Sequence, residues 1–295
     1  MRFRLTEDQV ALRAGVREVL VRCFGAERLR DAVDAGGVLD RGLWRELGAA
    51  GFFSLCLPEA KGGVGLGVPE AVVVFEEAGR ALLPGPLVAT HLAAGRVPGA
   101  ATGEAVVTAV GGGGLVEWLD DADVVVGSVE GAVALRSVDP LTPLHRVPGA
   151  DPAARLDDLF VLLTAAEQVG TAVRACEAAV QHARTREQFG RPVGAFQAVK
   201  HLCAELLVRV EVARVAVYAA AVTVDPVDIA AARLLADEAA VRGARDSLQV
   251  HGGSGFTWEA DVHLCLKRAW VRAERGGSIT ESEELLAGEL LVEAS

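Results

Sequence analysis

The sequence is poor in several things that would fix a function early. Its five cysteines (Cys23, Cys56, Cys176, Cys203 and Cys265) are odd in number, scattered and never spaced as CxxC. A disulfide framework or a structural zinc site needs paired spacings, so these thiols read as small core residues of a reducing compartment. The six histidines are dispersed, with no HExxH and no His/Asp cluster, and a metal site has no support. Positive charge is in deficit, with 29 Lys and Arg against 40 Asp and Glu and a net charge of −11. A chain this acidic is poorly suited to phosphate backbones, which removes nucleic acid as a main partner. The longest uncharged run, residues 81–95, contains Pro84 and Pro86 and falls short of the roughly 20 apolar residues that cross a bilayer. Met1-Arg2-Phe3-Arg4 is soon followed by Glu7 and Asp8 without an apolar stretch. The expectation is therefore a cytoplasmic protein with no membrane partner.

What is present is a globular chain of 295 residues, 51% hydrophobic and 23% charged, enough for a large core in one or two domains. Its periodicity changes twice. Residues 5–95 are helical but broken: Thr6 suits an N-cap with Glu7 and Asp8 in the first turn, and Val10, Leu12, Val16, Val19 and Leu20 form a stripe. A short helix over 43–50 should stop at Gly51. The Gly62-Gly63-Val64-Gly65-Leu66-Gly67 loop reads as a turn between helices. No strand precedes it and no lysine stands at the position a phosphate loop needs. Pro69 then suits the first turn of a helix carrying Val72, Val73, Phe75 and Glu76. Between residues 101 and 148, short β-branched runs (Val106-Val107, Val124-Val125-Val126 and residues 133–138) alternate with glycines, as strands of one small sheet would. From Leu156 onward, Phe160, Leu163, Val169, Val173, Cys176 and Val180 recur at spacings of mostly three and four, predicting a helix to about Arg184. A second is expected over 196–222, striped by Val199, Leu202, Leu206 and Val210. A third starts at Asp225-Pro226, an N-cap followed by proline at N1, and runs to about Val250. These helices make an antiparallel bundle. The fold class is thus mainly α with a small β domain (α+β), divided as residues 1–100, 101–152 and 153–295.

Two segments at helix ends are not bundle filler. Arg184-Thr185-Arg186-Glu187-Gln188-Phe189-Gly190-Arg191-Pro192, leading to Phe196-Gln197, joins a guanidinium to an aromatic ring and an amide. That combination can neutralise a diphosphate and cover a flat ring system. Gln249-Val250-His251-Gly252-Gly253-Ser254-Gly255-Phe256 offers backbone N–H groups at glycines that let an anion approach closely.

With these two segments, and with Trp44-Arg45-Glu46-Leu47, Leu57-Pro58-Glu59, the loop at residues 62–67 and Phe75-Glu76-Glu77, the chain resembles the acyl-CoA dehydrogenase family along nearly its whole length. The resemblance implies an N-terminal helical domain, a middle β-domain and a C-terminal four-helix bundle. It also implies FAD held between subunits of a dimer of dimers, with an electron-transfer flavoprotein as electron acceptor. The residues implied to contact the FAD diphosphate and adenosine are Arg186, Gln188, Phe189, Gln197, Gln249, Gly252 and Gly253.

The departures from the family are as informative. Its reaction needs a carboxylate that removes the α-proton of an acyl-CoA while flavin accepts hydride from the β-carbon. Counting from Gly255, that glutamate's place is taken by Gly276, followed by Gly277 and Ser278, so no catalytic residue is assigned. Members that carry the base on the first bundle helix place it near Phe160; Asp157 and Asp158 lie close but point elsewhere on a helix. The middle domain also lacks the family's Thr-Glu-x-x-x-Gly-Ser and Trp-x-Thr segments that cover the flavin ring. The reading that follows is the short, base-less subunit of an actinobacterial α2β2 acyl-CoA dehydrogenase acting in β-oxidation, possibly on steroid side-chain CoA thioesters (cholesterol catabolism). A homologous full-length subunit would supply the glutamate, the ring pocket and most of the acyl-CoA site. The alternatives are a self-sufficient homotetrameric flavoenzyme with Asp157, Asp158 or Glu167 as base, and a flavin-free assembly scaffold.

Overall fold

Helix α1 (Glu7–Cys23) begins where the sequence places it. Thr6 Oγ1 accepts the backbone N–H of Gln9, and the Gln9 side chain accepts that of Thr6, a reciprocal capping box. The structure is a computed structural model that describes residues 4–151, 156–277 and 279–293. After α1 come α2 (Ala26–Asp34), α3 (Arg41–Ala49), α4 (Val68–Ala81) and α5 (Leu87–Ala93). Gly51 follows α3 with φ +81°, and Pro69 sits in the first turn of α4, both as expected. Helices α2 and α5 were not anticipated. Their common centre is aromatic: Trp44 packs on Phe53 at 4.6 Å and Phe52 on Phe75 at 5.3 Å between ring centroids.

The middle segment differs from expectation in being two small sheets rather than one. Strand β1 (Val107–Ala109) pairs in parallel with β3 (Val124–Val126). The second sheet has the order β2 (Leu115–Glu117), β5 (Leu144–Arg146), β4 (Val133–Leu135), all antiparallel. Strands β2 and β5 escaped the sequence pattern because Leu-Val-Glu and Leu-His-Arg carry a single β-branched residue between them. The boundary expected at 152/153 lies outside the described residues.

The C-terminal part is a helical bundle of α6 (Asp158–Thr185), α7 (Gln197–Thr223) and α8 (Pro226–His251), completed by α9 (Val262–Arg275) and α10 (Ile279–Glu293). Asp225 Oδ1 accepts the N–H groups of Val227 and Asp228, with Pro226 at N1, as the sequence predicts. Helix α6 is long and apolar enough to cross a bilayer, but 78% of its most apolar window is buried inside the fold.

Helix α4 crosses α6 at nearly backbone contact. A Cβ on Gly170 would lie 1.9 Å from the Glu76 carbonyl oxygen, and one on Gly79 would lie 2.0 Å from that of Glu167. Only glycine permits this approach, because neither backbone can yield without disturbing its own helix. Gly170→Ala should therefore cost about 3 kcal/mol, despite alanine's better helix propensity. Urea unfolding read by far-UV circular dichroism checks it; an unchanged midpoint would refute the close crossing.

Candidate cofactor-contact site

The last turn of α6 passes into a tight hairpin, β6 (Glu187–Gln188) with β7 (Arg191–Pro192). Its two turn residues, Phe189 and Gly190, have φ of +55° and +75°, as a type I′ turn requires. The hairpin is closed by the Val193 N–H donating to the Arg186 carbonyl at 2.7 Å. Phe189 is held at the tip with its ring 90% exposed. Behind it, Phe196 meets Phe189 edge-on at 6.0 Å, and the Arg191 guanidinium lies 4.3 Å above the Phe196 ring. Gln188 and Gln197 are both exposed; Gln188 donates to the Glu187 carbonyl and Gln197 meets His201. The Arg186 side chain is exposed and has no carboxylate partner among the described residues.

The second segment ends α8. Gly252 takes φ +62° and ψ −144°, a region open essentially to glycine alone. A Cβ on either Gly252 or Gly253 would meet nothing within 4 Å, so both glycines border open space. Gln249 is exposed on the preceding turn. The two segments are joined by His182 and His251, whose rings stack at 4.2 Å with 32° between their planes. The His251 ring is fixed by Nδ1 at 2.7 Å from the Ser247 carbonyl oxygen. Burial lowers the His182 pKa, and the neighbouring His251 and Arg186 lower it further. The structure thus gathers Arg186, Gln188, Phe189, Gln197, Gln249, Gly252 and Gly253 at one end of the bundle. Sequence reasoning missed the histidine contact, since nothing in the spacing pairs residues 69 positions apart.

The position expected for the base lies elsewhere. Gly276 caps α9 with φ −69°, ordinary helical backbone; the positive φ belongs to Gly277 at +93°. What opposes a side chain is Arg233. A Cβ on Gly276 would fall 2.8 Å from Arg233 Nε. That buried guanidinium donates to the Gly277 carbonyl at 2.5 Å and to Ser282 Oγ at 3.1 Å. Ser278 lies outside the described residues. Of the other acids considered, Asp157 is the N-cap of α6, accepting from Leu159 and Phe160. Glu167 is buried and held by Arg272 and Arg275. Burial alone would raise its pKa, but the two guanidiniums outweigh burial and keep it below the ordinary value.

A cavity of about 430 Å³ lies between α4, α5 and the start of α6, lined by Phe53, Leu57, Leu159 and Leu163 with Arg96 and Asp157 also on its wall. His91 lines it too, its Nδ1 without a hydrogen-bond partner among the described residues. Burial pushes the His91 pKa down to about 4.

An N-terminal helical layer, small sheets and a long-helix bundle define the acyl-CoA dehydrogenase fold. The N-terminal domain of that family matches residues 6–104 and its C-terminal domain residues 162–284. Acyl-CoA dehydrogenase IpdE2 of Mycobacterium tuberculosis is 35% identical, over 91% of this chain and 92% of its own length. FadE34 of the same organism is 34% identical over 78% of this chain but only 39% of its own length. Among solved structures, the ChsE4–ChsE5 complex from Mycobacterium tuberculosis aligns over 99% of both chains with a TM-score of 0.80 and 27% identity. The steroid acyl-CoA dehydrogenase Tcur3481–Tcur3483 shares the fold, with a TM-score of 0.82, 24% identity and 98% of each chain covered. The chain belongs to the acyl-CoA dehydrogenase family.

Two outcomes follow from this geometry. Gly276→Glu should create no dehydrogenase activity in the isolated chain, because the new carboxylate is captured by Arg233, and thermal unfolding should show a loss of stability below about 2 kcal/mol. Turnover of an acyl-CoA by that variant would show that the site is open. For His91, the folded pKa lies below the usual 6.5, so unfolding takes up a proton as pH falls through 6.5 and stability drops until the folded form also titrates near 4. Between pH 7 and 5 the loss should be about 2 kcal/mol. His91→Gln should remove that part of the slope in denaturant titrations at the two pH values.

Proposed function

We propose that this chain is one subunit of a heteromeric, FAD-dependent acyl-CoA dehydrogenase, and that it lends FAD diphosphate and adenosine contacts to a partner that carries the catalytic glutamate. The observation that carries the reading is the contrast between the two ends of the bundle. One end presents an exposed Arg186 with no carboxylate partner among the described residues, an exposed ring at Phe189 and open glycines at Gly252 and Gly253. At the other, the base position is Gly276, filled by Arg233.

The residues present fit FAD as a half-site. Arg186 offers a fork of N–H donors to a diphosphate. The bare backbone at Gly252 and Gly253 leaves room for an anion to approach. Phe189, fixed by its type I′ turn, gives a flat apolar surface, with Gln188, Gln197 and Gln249 as polar contacts around it. FAD supplies the hydride acceptor of the dehydrogenation; this chain binds and orients, and its partner removes the α-proton. The substrate class is an acyl-CoA thioester. A steroid side-chain thioester is the favoured instance, since a steroid acyl-CoA dehydrogenase is among the structural neighbours. The remaining inferences are an α2β2 assembly with a full-length homologous subunit, electron transfer to an electron-transfer flavoprotein, and a cytoplasmic location.

Expressed alone, the chain should be colourless and inactive; co-expressed with the partner, it should yield one FAD per heterodimer by absorbance against protein mass. Arg186→Ala in the complex should weaken FAD retention about ten- to a hundredfold, the equivalent of roughly 1.5–3 kcal/mol for a charge-assisted contact, without unfolding. Flavin in the lone chain, two flavins per heterodimer, or undiminished occupancy after dilution of the variant would each count against the reading.

A further inference from the structure

The two cofactor-contact segments meet through imidazoles. His182 lies in the last turn of α6 and His251 in the last turn of α8, and their rings stack at 4.2 Å. Both sit at helix C-termini, whose dipoles favour a cation. His182 is one turn before Arg186, whose backbone N–H donates to the His182 carbonyl at 2.8 Å. His251 directly precedes Gly252. The stack therefore stands within a helical turn of both groups that are open to an anion. Each ring also has a nitrogen ready for a proton. A carbonyl oxygen only accepts, so His251 Nδ1, 2.7 Å from that of Ser247, carries hydrogen and Nε2 is left as the base. No hydrogen bond acts on the His182 ring among the described residues.

What keeps the pair neutral is its surroundings. Burial, His251 and Arg186 all lower the His182 pKa, and no carboxylate among the described residues acts against them. The other charges on the adjoining elements are engaged or lie in solvent. Asp246 of α8 binds Arg209, His201 of α7 meets Gln197, and Arg191 of the hairpin covers Phe196. Arg184, Glu187, Lys200 and Arg245 are exposed, and residues 252–256 carry no charge. A ligand that brings two negative charges to Arg186 and the open glycines reverses this balance, because an opposite charge nearby favours the protonated ring.

We infer that the stacked pair His182 and His251 is a second cation beside Arg186 for the FAD diphosphate, taking up a proton as the ligand binds. One ring of the two is charged at a time, since two imidazoliums at 4.2 Å would repel each other. The inference rests on the FAD reading above and deepens it: the half-site is linked to protons and holds its ligand more tightly as pH falls. The pair binds its proton more strongly with the ligand than without. Affinity therefore rises as pH drops through the pKa of the liganded pair and levels off below that of the free pair. The diester diphosphate keeps both its charges throughout and adds no slope of its own.

The test strips flavin from the complex of this chain with its partner and titrates FAD back by calorimetry at pH 8 and pH 6, in two buffers of different ionisation heat. Wild type should bind about five- to tenfold more tightly at pH 6, a factor of ten being one unit of pKa difference. It should take up about half a proton per flavin near pH 6.5. The double variant His182→Phe/His251→Phe keeps flat rings in the stack but holds no proton. It should match wild type at pH 8 and lose both the slope and the uptake; His182→Gln/His251→Gln should lose them too if phenylalanine is not accommodated. Affinity independent of pH, no proton uptake in wild type, or an undiminished slope in the double variants would overturn the inference and leave the FAD reading standing. A complex that binds no FAD at either pH would overturn both.

Discussion

The buried carboxylate of Glu167 organises the interior. It sits on α6 and is held by two guanidiniums from α9, Arg272 at 3.0 Å and Arg275. Arg275 also binds Glu117 of β2 at 2.8 Å and Thr164 at 2.9 Å. One turn earlier on α9, Arg268 binds Asp139, ahead of β5, and donates to the Leu83 carbonyl after α4. Arginines at i, i+4 and i+7 of a single helix thus tie the bundle to the sheets and to the N-terminal helices. Three guanidiniums face three carboxylates, all nearly or wholly buried, so the cluster is neutral. Neutrality is what makes it tolerable: an uncompensated charge there would cost several kcal/mol, and removing one partner of such a pair typically costs about 3–5 kcal/mol. Burial, with neighbouring guanidiniums, lowers the Arg272 pKa to about 10, which still leaves it charged at neutral pH.

The helix that carries these arginines ends at Gly276, which lies against Arg233 of α8. Arg233 then hydrogen-bonds the chain onward, at Gly277 and at Ser282 of α10. A glutamate side chain placed at Gly276 would lie beside a cation already engaged in closing the fold. General-base work needs a carboxylate free to reach a substrate proton, and Glu167 and Asp157 are occupied by ion pairs and by a helix cap.

Much of this was readable in the chain itself. Thr6, Pro69 and Asp225-Pro226 announce helix starts by local chemistry, and α6, α7 and α8 follow from three- and four-residue spacings that persist over many turns. Elements whose stability is supplied from outside were not readable. Helix α2 begins at Gly25 without a side-chain cap, and α5 is seven residues, nearly all buried, following Pro84 and Pro86. Strand β5 is Leu-His-Arg, held in place by pairing on both edges. No sequence signal pairs the arginines of α9 with their partners at 117, 139 and 167, which lie a hundred or more residues away. The residues proposed to contact the cofactor stand in contiguous motifs, so the sequence alone places them together. What closes the space beside Gly276 was not readable, because Arg233 is 43 residues distant.

Along α6 the hairpin end of the bundle and the end beside Gly276 lie far apart. Arg275 meets this helix at Thr164, next to Gly276, whereas the paired histidines meet it at His182. Eighteen residues separate the two, about 27 Å at 1.5 Å per residue. Reacting atoms must approach to about 3–3.5 Å, so no group at the hairpin end can act on an atom positioned by Gly276. In the proposed assembly the hairpin end serves a flavin whose chemistry happens beside another chain's base. Beside Gly276, Arg233 donates to the Ser282 hydroxyl and to the Gly277 carbonyl, an acceptor that only a donor such as this guanidinium can satisfy.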